Sequence, residues 1–289
     1  MNKTFYIKTV IVALSLVISS NVLSQETAEE NESKPVRDPF NTNQLIDLQT
    51  VVQPSKKAIE LIIHHRFGTF ENGLSDLFGI YAPSNIRLGV NYGLTNKLMV
   101  GLGTEKNNKL QDIHWKWNIM HQTRSGSIPF GVSYYGDIAL DARNGDFFGE
   151  NYQFTNRFSY FHQLIIARKF NPRITLQVAP GYVHFNTVES DREHDIIALS
   201  AGGRFKIINN ISILAEYDHS IPLKSFEDTS LEPKSNLAFA LEIGTSTHAF
   251  QITLAQYNNI INQRNFGYNL NDLSNGDWSL GFNITVRLN

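Results

Sequence analysis

The 289-residue chain sets Lys+Arg 25 against Asp+Glu 27, a formal charge of −2, so its composition carries no electrostatic footprint for nucleic acid. Cysteine is absent, which excludes disulfides, thiolate metal sites, cysteine nucleophiles and lipidation of a mature N-terminal cysteine. Charged residues at 18% fall below the usual quarter or so while Phe 19 and Tyr 11 are plentiful, a balance that suits a lipid-wrapped barrel and equally a soluble β-sandwich.

The chain opens with Lys3 and Lys8, an apolar run from Thr9 to about Ser20, and small residues before Gln25. A basic start, an apolar stretch too short for a bilayer helix and a small-residue exit predict a cleaved signal peptide over 1–24, and so export to the bacterial outer membrane. Residues 25–44 follow, with Glu26, Glu29, Glu30 and Glu32 ahead of Lys34-Pro35. Few apolar residues among several like charges predict a flexible periplasmic leader. Leu45 to Val52 reads as a short strand, pairing inside a barrel or folding under its mouth, and Pro54 ends it.

From Ala58 onward the pattern is alternation. In Ile86-Arg87-Leu88-Gly89-Val90-Asn91-Tyr92 the even positions are apolar and the odd ones polar or glycine. A period of two puts these sets on opposite faces. Ile113-His114-Trp115-Lys116-Trp117-Asn118-Ile119 divides in the same way, as does Trp278 to Leu288. Such runs predict twelve strands at 58–67, 84–94, 97–104, 110–121, 128–140, 156–169, 173–185, 194–207, 211–220, 236–246, 248–257 and 277–288. Their length suits a tilted membrane strand better than the five or six residues usual in soluble sheets. Connections alternate between short turns, such as Thr95-Asn96, the Gln122 to Ser127 turn, Asn171-Pro172 and Asn209-Asn210, and long ones at 68–83, 105–109, 141–155, 186–193, 221–235 and 258–276. The expected fold is all-β: an up-and-down antiparallel transmembrane barrel of about twelve strands over 45–289, with short turns facing the periplasm. Greek-key crossovers would break this rhythm, which argues against a sandwich.

His65-Arg66-Phe67-Gly68, Leu77-Phe78-Gly79, Asn85-Ile86-Arg87-Leu88-Gly89 and Tyr92-Gly93-Leu94-Thr95 resemble the start of a family of outer-membrane β-barrel proteins from Bacteroidota, catalogued as a domain of unknown function. The likeness runs from about Ile46 to the C-terminus and implies a membrane-embedded barrel; it carries no activity, ligand or catalytic residue. The ending Val286-Arg287-Leu288-Asn289 departs from the aromatic terminus common in outer-membrane barrels.

Parity predicts a lumen lined by Arg87, Asn91, His114, Lys116, Asn118, Asp137, Gln177, Arg204, Lys206, Glu216, Asp218, Glu242 and Arg287. Such a set reads either as a charged, water-filled constriction or as a salt-bridged interior that plugs the barrel, since twelve strands lie between a side-chain-filled barrel and an open porin. Mixed signs argue against strong ion preference. His64 and His65 are adjacent and His114 and His121 an odd number apart, so neither pair shares a face and no metal or other cofactor is expected. Ser274-Asn275-Gly276 resembles the motif of a twelve-stranded membrane phospholipase, but Asp272 stands where its histidine belongs; turn chemistry accounts for the triplet. No enzyme is expected. The loop from Thr69 to Ser84, with Phe70, Leu74, Leu77, Phe78, Ile80 and Tyr81, reads as a short helix or a loop folded over the mouth.

The function these observations predict is a passive channel for small polar solutes in outer-membrane lipid. A closed structural or partner-binding barrel of an envelope complex is the alternative, and a membrane-embedded hydrolase comes third.

Overall fold

A computed structural model describes residues 34–226 and 228–288; the predicted signal peptide and the leader as far as Ser33 lie outside the described residues. Twelve strands run as β1 (Ile59–Thr69), β2 (Asn85–Gly93), β3 (Leu98–Glu105), β4 (Leu110–Met120), β5 (Gly131–Asp141), β6 (Phe158–Lys169), β7 (Ile174–Phe185), β8 (Asp195–Ile208), β9 (Ile211–Pro222), β10 (Asn236–Gly244), β11 (His248–Ala255) and β12 (Ser279–Leu288). Each is antiparallel to its sequence neighbour, and β1 closes on β12 with Ile63 opposite Ile284 and His64 opposite Asn283. Closure leaves no strand edge, so the backbone ladder runs unbroken around the ring and needs no water at an open edge. The observed limits fall within about three residues of the alternation pattern because the pattern is the physical cause: Leu61, Leu88, Val90, Leu102, Ile113, Trp117 and Ile252 stand exposed on the outside, where lipid would cover them.

One element of the predicted rhythm fails. The connection after β3, expected to be long, is only 106–109, while the turn after β4, expected to be short, spans 121–130. That turn is longer because it grips the incoming chain: the Val36 amide donates to the Gln122 carbonyl at 2.8 Å and the Arg124 amide to the Lys34 carbonyl at 3.0 Å.

Two segments enter the barrel. From the short-turn side, the chain turns inward at Phe40, and Phe40, Leu45, Ile46 and Leu48 are buried. The expectation of a leader flexible through Gln44 therefore does not describe residues 40–44, and Leu45–Val52 adds no strand to the sheet. It forms a tight irregular fold, closed by the Leu45 amide on the Leu48 carbonyl at 2.7 Å and the Thr50 amide on the Asn43 carbonyl at 2.9 Å. From the opposite side, the connection between β11 and β12 folds down into the mouth and carries the one regular α-helix among the described residues, α1 (Asn262–Tyr268). The loop from Thr69 to Ser84, expected as a short helix or a loop folded over the mouth, takes the first form: Phe70–Asp76 makes a 3-10 helix with no buried residue, and Leu74 and Tyr81 stand 78% and 77% exposed.

Between these two segments lies an apolar core inside the barrel. Leu45, Ile46 and Leu48 meet Phe161, Ile165, Ala179, Val183, Ile196, Ala198 and Leu214 of the wall, and Phe266 of α1 joins from above. The sequence reading placed apolar residues on the lipid side; on β6 to β8 they occupy both faces.

Candidate functional site

A segment without regular structure brings unpaired amides and carbonyls into a lumen that holds little water, so the wall must satisfy them. Glu216 on β9 accepts three successive backbone amides, from Ile46 at 3.1 Å, Asp47 at 3.2 Å and Leu48 at 3.1 Å. Arg66 on β1 donates to Asp47 Oδ1 at 2.8 Å and to Asn283 Oδ1 at 2.8 Å, and Asn283 donates in turn to the Ile46 carbonyl at 3.0 Å. Lys116 Nζ bridges the Asn43 and Val52 carbonyls at 2.8 and 3.0 Å, and Gln177 Nε2 reaches the Gln49 carbonyl at 2.8 Å. Five strands of the barrel thus hold one short stretch of chain.

Beside this plug lies a buried charge network. Arg87 forks onto Asp112 at 2.8 and 2.5 Å, His114 Nδ1 lies 2.8 Å from Asp112 Oδ2, and His114 Nε2 lies 2.7 Å from Asn91 Oδ1. The inward face of β3 is cut down to glycine to admit it: a Cβ at Gly101 would stand 2.2 Å from His114 Nε2, and one at Gly103 2.2 Å from Arg87 Nη2. Asp137 completes the group, accepting from Tyr135 Oη at 3.1 Å and from Gln263 Nε2 of α1 at 3.0 Å. Ligand atoms of Asp112, His114 and Asp137 lie within 4.8 Å of one another. A divalent ion there would displace the Arg87 fork and face its guanidinium, so the donor set reads as an ion-paired network.

The helix end is held by the same means. Glu105 at the end of β3 accepts the Ile261 amide at 3.0 Å and the Ile260 amide at 3.4 Å, supplying from another strand the cap that α1 lacks in its own sequence. Phe266 stacks on Phe161 with centroids 5.7 Å apart. Tyr268 sits between Arg192 and Arg264, each 4.3 Å from its ring centroid, and burial pushes its phenol up to about 12.

The residues predicted to line the lumen do not form one constriction. Arg87, Asn91, His114 and Asp137 belong to the network below α1; Lys116, Gln177 and Glu216 hold the plug; Asp218 accepts from Ser200 at 2.6 Å and Asn236 at 2.9 Å. Asn118, Arg204, Lys206, Glu242 and Arg287 lie nearer the short turns, with Arg204 and Glu242 3.6 Å apart. Parity overlooked Glu60, Arg66, Glu105, Asp112 and Asn283. Their signal was present: Glu60, His64 and Arg66 alternate with Ile59, Leu61 and Ile63, and Asp112 stands two residues before His114 on the same face.

What free space remains is uneven. Between plug and α1 there is a polar gap of about 20 Å³ bordered by His64, Arg87 and His114, too small to pass a solute. Below the plug, a vestibule of about 820 Å³ opens among the short turns.

A family model described as "Membrane bound beta barrel domain (DUF5777)" matches residues 40–288. The chain belongs to this family. The match begins at the residue where the chain turns into the barrel, so the plug is part of this membrane-bound barrel domain as the family defines it. A comparison with curated protein sequences finds no significant match. Among solved structures, the barrel is similar to the NanC porin, with 9% identity, TM-score 0.51, and coverage of 79% of this chain and 98% of that one. It is also similar to the COG4313 outer membrane channel from Pseudomonas putida F1, with 9% identity, TM-score 0.50, and coverage of 91% and 100%. At such identity the likeness is one of fold: a closed antiparallel barrel of the kind found in outer-membrane porins and channels.

Proposed function

We propose that this membrane-bound barrel is a passive outer-membrane channel for small polar solutes, held shut by its own N-terminal segment. The outer-membrane address, reached through a signal peptide over 1–24 in a Bacteroidota host, is part of the proposal, as is the absence of catalysis. The observation that carries it is what fills the barrel. Its centre is occupied by a stretch of chain that belongs to no strand and is anchored through side chains of the wall, so withdrawing that stretch leaves the hydrogen-bonded sheet whole. Glu216, Lys116 and Gln177 then become lumen-lining groups exposed to water, together with Arg87, Asn91 and His114 if α1 also lifts.

The second reading, a permanently closed barrel that serves a partner, is favoured by the apolar cluster linking Leu45 and Leu48 to Phe161 and Phe266. A staple separates the two. A Cβ at Gly131 would stand 3.7 Å from Val51 Cβ, inside the range a disulfide spans, and the chain has no other cysteine. Val51→Cys with Gly131→Cys should be silent in planar bilayers when oxidised and show discrete openings after reduction. Equal conductance in both states would remove the plug as the gate. Silence of the reduced protein, correctly folded by heat-modifiable gel migration, would leave the closed barrel.

A further inference from the structure

The vestibule below the plug carries an imbalance of charge in its lining. Lys169, Arg204, Lys206 and Arg287 line it, with Asp38 as the one acidic side chain of its lining. Arg204 and Arg287 each have a carboxylate 3.6 Å away and donate to the Asp38 and Asn41 carbonyls, but the arginine side chains, 8% and 22% exposed, line the cavity, while Glu242 and Glu60, 1% and 4% exposed, do not. Lys169 Nζ is held by the backbone carbonyls of Arg37 at 2.5 Å and Asp38 at 3.3 Å, which solvate its charge without cancelling it. Among the described residues the Lys206 ammonium has no hydrogen-bond or ion-pair partner, and it borders the same space. A cleft lined by one sign of charge concentrates ions of the other, and this volume is in the range of small-molecule sites.

We propose that the vestibule is a binding site for a small soluble polyanion, phosphate- or carboxylate-bearing, entering from the short-turn side and contacting Lys206, Lys169, Arg204 and Arg287. The site exists in the plugged barrel and is independent of conductance, so its test and that of the channel fail separately.

The experiment is calorimetric titration of the full chain in neutral detergent at low ionic strength, with inorganic tripolyphosphate as the probe and raffinose as an uncharged probe of comparable bulk. One-to-one binding of tripolyphosphate is expected, with no binding of raffinose. Lys206→Glu should weaken it at least about tenfold while Lys97→Glu, on the same side of the barrel but outside the cavity, should change it less than about twofold; close charge contacts are worth that much only where water is partly excluded. Absence of tripolyphosphate binding by folded protein, an equal loss in both variants, or equal binding of raffinose would each overturn the site. Retention of phosphatidylglycerol through purification in a Lys206-dependent manner, with no tripolyphosphate binding, would assign the same basic groups to a lipid headgroup and overturn the soluble ligand.

Discussion

The inner wall made by β1 to β4 and the one made by β6 to β8 hold the same plug by different physics. On the first, Arg66, Lys116 and the Arg87–Asp112 pair present charge, and glycines on β3 make room for it. On the second, Phe161, Ile165, Ala179, Val183, Ile196 and Ala198 present an apolar surface to Leu45, Ile46 and Leu48. The charged wall is directional and fixes where each backbone group of the plug goes. The apolar wall is non-directional and supplies burial, about 1.5–3 kcal/mol for each fully covered large aliphatic side chain. A segment held by both is placed accurately without being part of the sheet.

The largest effect is expected where one side chain satisfies three successive amides of the plug. Glu216→Ala orphans the amides of Ile46, Asp47 and Leu48, at roughly 1–3 kcal/mol each. Ile46 is fully buried, so Ile46→Cys should resist maleimide in the otherwise unchanged protein and label at least about a hundredfold faster beside Glu216→Ala. If labelling stays slow, Glu216 is not what keeps the plug in place.

Next comes the Arg66–Asp47 pair, 2.8 Å apart with both side chains almost wholly buried. Removing Arg66 alone leaves a carboxylate uncompensated in the lumen, which costs about 3–5 kcal/mol in buried pairs. Arg66→Met should therefore free the plug by the same labelling assay, and Arg66→Met with Asp47→Asn should restore much of the protection. A double variant as labile as the single one would show that Arg66 acts through Asn283 and not through the ion pair.

These two walls also explain what the sequence made legible. Alternation located twelve strands and the inward direction of Arg87, His114 and Lys116, because on β1 to β4 polar and apolar residues separate cleanly by parity. On β6, Phe161 and Ile165 face in while Leu164 and Ile166 face out, and alternation is silent when both faces are apolar. The plug reads as a strand for a related reason: Leu45-Ile46-Asp47-Leu48 is apolar enough to be placed inside the barrel or under its mouth, but its partners are single side chains on β1, β4, β7, β9 and β12, a convergence only closure of the barrel creates. Loop composition does not single out the segment that enters the mouth, since the loop at 70–84 has the more apolar sequence while 256–278 enters through Glu105 and Gln263.

A smaller effect is expected on the apolar side. Leu48→Ala removes methyl groups from the cluster at a cost of about 2 kcal/mol or more, and should raise Ile46→Cys labelling about thirtyfold while leaving the barrel's thermal mobility shift on gels unchanged. A loss of the folded band would mean that the plug supports the barrel as well as closing it.

The sharpest contrast between the walls comes from adding a single methyl group to each. At Gly103 a Cβ would stand 2.2 Å from Arg87 Nη2 and 2.3 Å from Asp112 Oδ1. Neither atom can retreat without breaking the fork that neutralises the other, so Gly103→Ala should cost about 1–3 kcal/mol and loosen α1 through Asp137 and Gln263. At Gly202 the new Cβ would meet the tip of Leu45 at 2.6 Å and the Ala215 carbonyl at 3.0 Å. A leucine tip can change rotamer where a paired guanidinium cannot, so Gly202→Ala should cost about 1 kcal/mol or less beyond the small shift at Ala215. Denaturant titrations of the two variants in the same detergent test the ordering directly. Should Gly202→Ala prove the more damaging, the apolar wall is packed tightly enough to fix the plug's position, and the division of labour between direction and burial fails.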